Sequence, residues 1–270
     1  MKVPELFRDL GVPAASRLQS EWVTVRGCRL HSRSCAGANA SWAAQSGHDG
    51  VPFLLLHGLV ISSLYFIPLG EVISAAGCEV HALDLPGFGR SEGPREVLSV
   101  AQMAEWAIEW LAARGIPRCH IIGNSLGCEI AAYVAAKAPE RVATLTMVGP
   151  TIDPAAFAIV TQTLRLLQDA LQEPWSLWCN WAFDFLRAGP RRAFGMTREM
   201  FRDPIENQLP QVQAATLVMR GGCDPTVPQS AAEAVARLLP RSELVVIARE
   251  PHCVHYTDPV AVWEAVRGLE

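Results

Sequence analysis

The sequence has no excess of positive charge, and its first ten residues lack an unbroken apolar stretch. It contains two lysines, and 23 Lys and Arg against 27 Asp and Glu leave a net charge of -4. Without a broad positive field, we expect neither nucleic acid nor an anionic membrane as a partner. Residues 1–10 carry Lys2, Glu5, Arg8 and Asp9 where a secretory signal or a membrane span would be apolar. The sequence therefore predicts a cytoplasmic protein without a membrane span.

Paired cysteines and metal-binding spacings are also missing. The eight cysteines form no C-x-x-C pair, and a chain of 270 residues does not need disulfides to be stable. The histidines and carboxylates show no H-E-x-x-H or comparable ligand spacing. We therefore expect no metal and no cofactor, and most cysteines should be small buried hydrophobic residues.

The order of apolar runs predicts an α/β fold. A hairpin across Gly27, at residues 22–33, precedes unbroken apolar runs at 53–56, 80–83, 120–122, 143–148, 216–219 and 244–247. Runs without alternation are typical of strands covered on both faces. Helix-like segments lie between them at 63–75, 99–113, 126–138 and 229–238, with another after Asp258. This alternation predicts a mostly parallel central sheet flanked by helices.

One stretch interrupts the alternation. Residues 152–209 contain no strand-like run, and their helical stretches are rich in Leu, Trp and Phe. We interpret them as a helical cap inserted between a first core part, 1–151, and a second core part, 210–270. Trp175, Trp178 and Trp181, followed by Phe185, recur at helical spacing. This aromatic stripe is expected to pack the cap onto the core, with part of it lining an apolar substrate pocket.

A candidate nucleophile lies between a predicted strand and a predicted helix. Gly123-Asn124-Ser125-Leu126-Gly127 matches G-x-S-x-G, the nucleophile elbow, in which a sharp turn exposes the serine. Larger residues in place of the two glycines would collide with the neighbouring strand and helix. The motif alone is also compatible with an ordinary strand-to-helix turn, so its companions decide the interpretation.

An acid and a base follow two later strands. Asp224 comes just after the run at 216–219, and His252 follows the run at 244–247. The chain order Ser, Asp, His differs from that of the two common serine-protease folds. His255 is the alternative base, otherwise expected to pack or line the site entrance. Asp153 is the alternative acid, or it caps the first helix of the cap.

Five segments together resemble the α/β-hydrolase superfamily. They are the strand ending in His57-Gly58, the turn D-L-P-G-F-G-R-S, the elbow G-N-S-L-G, the segment G-G-C-D-P-T-V-P and the stretch P-H-x-x-H-x-x-x-P. The resemblance runs from about Trp22 to the end of the chain and implies the α/β-hydrolase fold. Two positions depart from it, because Cys128 and Pro251 stand where many relatives have glycine.

The resemblance implies an oxyanion hole. Its donors would be the backbone N–H of Leu126, after the nucleophile, and that of Leu59 in the loop after the strand at 53–56, with Val60 as the alternative. His57 is expected to shape this loop. The implied activity is hydrolysis of a carboxylic ester of a small to medium apolar substrate through an acyl-enzyme, with no cofactor and with the oligomeric state left open.

The sequence motifs are also compatible with several other functions. In other members of the superfamily, a triad like Ser125, Asp224 and His252 opens lactones, cleaves thioesters, transfers acyl groups or cleaves carbon–carbon bonds of diketo acids. The fold can also serve as a ligand receptor. The carbon–carbon hydrolases need a cation for the substrate carboxylate, and Arg191 and Arg192, expected to be solvated, are the clustered candidates. Cys223 and Cys253 adjoin the acid and the base, but neither lies at the elbow, so a cysteine nucleophile is disfavoured.

Overall fold

The computed structural model describes residues 16–37, 50–150, 159–202 and 204–269. Within these ranges the chain forms an eight-stranded sheet with helices on both faces. Asp153 and residues 1–10, on which the expected location depends, lie outside the described residues. No helix in the described ranges is both long and apolar enough to cross a bilayer.

The strands follow the predicted order closely. In chain order they are β1 Gln19–Val25, β2 Cys28–Cys35, β3 Phe53–Leu56, β4 Val80–Leu83, β5 Cys119–Asn124, β6 Val142–Val148, β7 Ala215–Gly221 and β8 Ser242–Ile247. Their order across the sheet is β1-β2-β4-β3-β5-β6-β7-β8. β1, β2 and β4 pair antiparallel, and all pairs from β4 to β8 are parallel. The predicted hairpin and mostly parallel sheet are confirmed.

The helices fill the connections between the strands. They are α1 Ile67–Ala75, α2 Val100–Ala113, α3 Leu126–Lys137, α4 Ile159–Ala170, α5 Trp175–Ala188, α6 Pro190–Arg202, α7 Gln229–Leu238, α8 Val254–Thr257 and α9 Pro259–Val266. Short 3₁₀ turns occupy Ser63–Phe66, Pro139–Arg141, Ile205–Asn207 and Leu209–Gln211. The helices α4, α5 and α6, at residues 159–202, stand between β6 and β7 and are called the inserted helices below.

Each central strand supplies both hydrophobic cores. Successive side chains of a strand point to opposite faces of the sheet. In β3, Leu54 and Leu56 therefore join the core formed with α2, α3 and α7, while Phe53 and Leu55 join the core formed with α1 and α9. This two-sided burial explains why β3 has no polar residue.

The edge strand β8 departs from the prediction. Its apolar run was expected to be covered on both faces, but none of its residues is fully buried and Val246 is 40% exposed. In the sheet order β8 has one neighbour, β7, and its outer edge has none among the described strands. An apolar run indicates a strand here, but its position in the sheet decides how much of it is covered.

Candidate active site

Ser125 lies at a strained turn between β5 and α3. Its φ of 53° and ψ of -121° fall in a region that non-glycine residues rarely adopt. The residue precedes the first turn of α3, where helix N–H groups have no partner within the helix and favour negative charge. Its own N–H donates to the Val148 carbonyl at the end of β6, at 3.1 Å. The half-buried serine is therefore held at the C-terminal edge of the sheet.

The two glycines of the motif are required by close packing. A Cβ on Gly123 would lie 2.3 Å from the Gly127 carbonyl oxygen, and a Cβ on Gly127 would lie 2.0 Å from that of Leu56. These distances confirm the expected collisions. Cys128 fills the position that is often glycine, because its thiol is buried and donates to the carbonyls of Gly123 and Val148.

Asp224 and His252 form a buried pair beyond the ends of β7 and β8. Oδ2 of Asp224 lies 2.8 Å from Nδ1 of His252, and Oδ1 accepts the N–H groups of Thr226 and Val227 at 2.7 and 3.0 Å. Burial by itself would raise the pKa of Asp224, but His252 and the two amides lower it below its ordinary value. Asp224 therefore stays ionised and favours the histidine tautomer with a proton on Nδ1.

Burial also opposes the charged form of His252. The Asp224 carboxylate and the nearby Asp169 and Glu173 together outweigh this effect and raise the pKa of His252 to about 9. Its Nε2 is buried and has no hydrogen-bond partner among the described residues. That nitrogen is therefore the one available to exchange a proton with a neighbouring hydroxyl.

Gly149, which the sequence did not single out, allows the histidine to pack against the end of β6, the neighbour of the nucleophile's strand β5. It follows Val148, the acceptor for the Ser125 N–H, and a Cβ at Gly149 would lie 2.7 Å from Cε1 of His252. Its φ is 59°, which favours glycine. A glycine directly after an apolar strand was the available signal.

The loop after β3 lies against the nucleophile. A Cβ on Gly58 would approach the Cβ of Ser125 to 3.3 Å. The Gly58 N–H donates to the Tyr65 hydroxyl at 2.5 Å, and this hydroxyl donates to Oδ1 of Asn124 at 3.0 Å. Tyr65, which the sequence did not single out, thus fastens the loop to the residue before Ser125.

Leu59 and Val60 occupy the part of this loop proposed to hold an oxyanion. Leu59 is half-buried, and Val60 has a φ of 55°, which is unusual for a β-branched residue. Because Tyr65 takes the Gly58 N–H, the next amides along the loop are the candidate donors. Leu126, the first residue of α3, presents its N–H from the helix terminus.

Two further histidines near the site have structural environments. His57 is buried, its Nδ1 lies 2.8 Å from the Gly58 carbonyl, and its Nε2 accepts the Leu85 N–H at 2.9 Å. The expectation that His57 shapes the loop is confirmed. His255 is fully buried against the rings of Tyr65 and Phe66, so of its two expected roles it packs and does not line an entrance.

The aromatic stripe does not pack as predicted. Trp175 is 79% exposed and Trp181 is 42% exposed, while Trp178 is half-buried and donates its Nε1–H to the Ala170 carbonyl at 2.8 Å. The buried side chains of α5 are Leu177, Asn180 and Asp184. The prediction that Trp175 and Trp181 pack onto the core is therefore wrong.

The arginine pair of α6 has two different environments. Arg191 is exposed, whereas Arg192 is half-buried and donates to the Pro94 carbonyl at 2.7 Å. The expectation that both are solvated is wrong for Arg192. This side chain fastens α6 to the turn that follows β4, against Gly87.

Two carboxylates of the insertion, one on α4 and one between α4 and α5, accept hydrogen bonds from the loop that carries the histidine. The sequence did not single them out. Oδ1 of Asp169 accepts the His252 N–H at 3.0 Å, and Oε1 of Glu173 accepts the Cys253 N–H at 2.8 Å. Neither residue belongs to a motif, and 83 and 80 residues separate the partners. Among the residues that the structure describes, no group of His, Cys, Asp and Glu is arranged to hold a metal ion.

Comparisons with known proteins agree with this architecture. A family model described as the alpha/beta hydrolase fold matches residues 51–172. A curated relative from Variovorax paradoxus, named as the carbamate hydrolase RutD, is 35% identical over 109 residues, which are 40% of this chain and 41% of the relative. In each of four curated relatives compared with the chain, the matched segment covers less than half of the relative's length.

Solved structures match over nearly the whole chain. A membrane phospholipase A described as a bacterial virulence factor aligns with a TM-score of 0.77 and 24% identity, over 94% of this chain and 86% of that one. Naproxen esterase from Bacillus subtilis aligns with a TM-score of 0.73 and 20% identity, over 93% and 90%. These structural matches show that the chain has the α/β-hydrolase fold, and residues 51–172 also match the family model of that fold.

Proposed function

We propose that this chain is a serine hydrolase that cleaves carboxylic esters of small to medium apolar molecules through an acyl-enzyme. Ser125 is the nucleophile, His252 the general base and Asp224 the acid that orients it. The observation that carries the proposal is the arrangement at the C-terminal edge of the sheet. Ser125 is strained at a helix N-terminus and hydrogen-bonds to Val148, and the buried Asp224–His252 pair packs against the following Gly149. Nε2 of His252 has no hydrogen-bond partner among the described residues. Asp153, the alternative acid, lies outside the described residues.

The mechanism uses one nitrogen for every proton transfer. Nε2 of His252 accepts the Ser125 proton as Oγ attacks the ester carbonyl carbon, and Asp224 stabilises the imidazolium through Nδ1–H. The N–H groups of Leu126 and Leu59 hold the oxyanion. His252 then protonates the leaving alcohol, and the acyl-enzyme remains. A water that gives its proton to Nε2 attacks this acyl group, and the returning proton restores Ser125.

Residues 152–209 would act as a cap over this site. Its inserted helices meet the histidine loop, and the names of the esterase and carbamate hydrolase relatives support an acyl substrate. We propose that Trp175, Trp178 and Trp181 receive the apolar part of that substrate. The exposure of Trp175 and Trp181 then corresponds to apolar surface that a bound molecule can cover.

Ser125→Ala tests the nucleophile directly. Without Oγ no acyl-enzyme forms, so kcat for p-nitrophenyl esters should fall by about 10⁶ while the protein stays folded. A fluorophosphonate should label Ser125 and neither Cys223 nor Cys253, as mass mapping of the adduct can show. If Ser125→Ala keeps activity within about tenfold of the parent, the assignment is wrong.

A substrate panel tests the bond that is cleaved. Simple esters of increasing acyl length, a lactone, a thioester and a vinylogous diketo acid are compared by kcat/KM. Esters with short to medium acyl chains should be preferred, because each buried methylene contributes about 0.8 kcal/mol until the pocket is full. A preference of about a hundredfold for the diketo acid would contradict the ester proposal and leave Ser125 in place. No turnover of any compound would instead favour a receptor on this fold.

A further inference from the structure

Two carboxylates, the buried Asp169 and the half-buried Glu173, connect the insertion to the loop that carries His252. Asp169 lies near the end of α4 and is 5% exposed, and Glu173 lies four residues later, before α5. Each accepts one backbone N–H of the loop, from His252 and from Cys253 respectively. These are direct hydrogen bonds between the insertion and the base of the proposed triad.

We propose that Asp169 and Glu173 are positioning residues for His252, which they hold through its own loop backbone while placing negative charge beside its imidazole. This inference rests on the proposed function of Ser125 and His252. It adds a part of the site that lies on the inserted helices, outside the triad and the oxyanion hole.

The backbone N–H groups of the loop that carries His252 need hydrogen-bond acceptors from outside that loop. Pro251 has no N–H, and the short helix α8 begins directly after Cys253, which provides no side-chain cap for it. The amides of His252 and Cys253 are buried, and a buried N–H without a partner is costly. The two carboxylates satisfy these amides, so the backbone position of His252 depends on where α4 ends.

The negative charges of Asp169 and Glu173 affect the protonation of His252. Three carboxylates face its imidazole, Asp224 from beyond β7 and Asp169 and Glu173 from the insertion, and all three favour its protonated form. His255, on the following helix, opposes this little because burial keeps its pKa well below the ordinary value and the ring neutral. Asp169 and Glu173 therefore make His252 a stronger base than Asp224 alone would.

The charge of Glu173 changes near neutral pH. Burial, and to a smaller extent the neighbouring Asp169, raise the pKa of Glu173 to about 7, while His252 and the Cys253 N–H oppose the shift. Burial also raises the pKa of Asp169 above its ordinary value, with His252 opposing and Asp224 adding to the shift. Oε2 of Glu173 is buried and has no partner among the described residues, so it is free to take a proton.

Isosteric amides separate the hydrogen bond from the charge. Asp169→Asn and Glu173→Gln keep an oxygen that can accept the loop N–H but remove the negative charge. Asp169→Ala removes both. Glu199→Gln is the matched control, since Glu199 also lies on an inserted helix but pairs with Arg202. Rates for p-nitrophenyl acetate are measured from about pH 6 to 11, because the acid limb of kcat/KM reports the free base and the pKa of His252 in the parent is about 9.

The amide variants should keep kcat within about threefold at the alkaline plateau and move the midpoint of the acid limb down by about one pH unit each. Asp169→Ala should show the same shift and lose about tenfold in kcat with little change in KM, because the histidine is displaced. Glu199→Gln should match the parent. An unmoved acid limb in both amide variants would overturn the proposal, since a merely structural carboxylate would not shift it.

Two measurements separate this inference from the proposed function and from misfolding. The NMR titration of the His252 imidazole should move down in Asp169→Asn even with Ser125 replaced by alanine, so it needs no activity. An unchanged titration contradicts the inference while fluorophosphonate labelling still supports Ser125. If Asp169→Ala does not fold, Asp169→Asn and hydrogen exchange of the His252 amide decide the matter, because that amide should stay protected only while its acceptor remains.

Discussion

Two buried aspartates, one in the sheet domain and one in the inserted helices, have opposite pKa shifts. Asp84, just after β4, accepts the N–H groups of Ser63 and Arg90 at 2.7 and 2.8 Å and contacts Nδ1 of His31 at 2.7 Å. Although burial opposes it, these partners lower the pKa of Asp84. Asp184 on α5 has one oxygen without a partner among the described residues, and burial raises its pKa to about 7.

The difference extends to the apolar side chains of the two regions. The central strands bury theirs, whereas most of the large apolar side chains that are exposed in the described chain lie between residues 164 and 201. On α5, Trp175 and Leu186 face solvent while Asn180 and Asp184 are buried. Burial in the inserted helices therefore does not follow hydrophobicity as it does in the sheet.

The largest effect should come from the buried acid at the edge of the sheet. Asp224→Asn would leave His252 in the wrong tautomer and should lower kcat by about 10⁴ for a p-nitrophenyl ester. The matched change Asp153→Asn, in the segment before the inserted helices, should cost little. If Asp153→Asn gave the larger loss of kcat, Asp153 and not Asp224 would be the acid that orients His252.

The two buried aspartates should respond to replacement with opposite signs. The lowered pKa of Asp84 gives stability that is present above the ordinary carboxyl range near 3.8 and is lost as the pH falls. Asp84→Asn should therefore lower the Tm at pH 8 by about 10 °C. The raised pKa of Asp184 costs stability as the pH rises from that range through about 7.

Asp184→Asn should accordingly raise the Tm at pH 8 by about 2–4 °C and change it little at pH 4, where the carboxyl is already neutral. Thermal unfolding of both variants at the two pH values measures the contrast. If the two variants shifted the Tm at pH 8 in the same direction, the two carboxyl groups would have similar environments.

Two tyrosine hydroxyls offer the smallest and most local test. Tyr65→Phe frees the Gly58 N–H and loosens the loop of Leu59, so kcat should fall by about tenfold with KM little changed. Tyr256→Phe is the control, because its hydroxyl contacts Ser176 on α5 at 2.7 Å and lies at the surface. Steady-state rates on one ester compare them. Equal losses would mean that Tyr65 has no special role in the loop.

Local patterns predicted the elements and the elbow because their causes are local. The runs at 53–56 and 80–83 coincide with β3 and β4, and the collision that requires Gly123 involves residues within five positions of it. Gly127 is different, because it is required by the close approach of Leu56 on β3. The Asp224–His252 contact was also predictable, since parallel strands deliver their C-terminal ends to one edge of a sheet.

The sequence by itself determined the strand order along the chain, the helix positions and the residues at the strand ends, because periodicity and turn sterics depend on neighbouring residues. The tertiary structure decided the exposure of β8, the outward direction of Trp175 and the contacts of Asp169 and Glu173 with the histidine loop. The contacts of Asp169 and Glu173 join segments about 80 residues apart. No periodic pattern encodes such contacts, since they depend on how the completed layers pack.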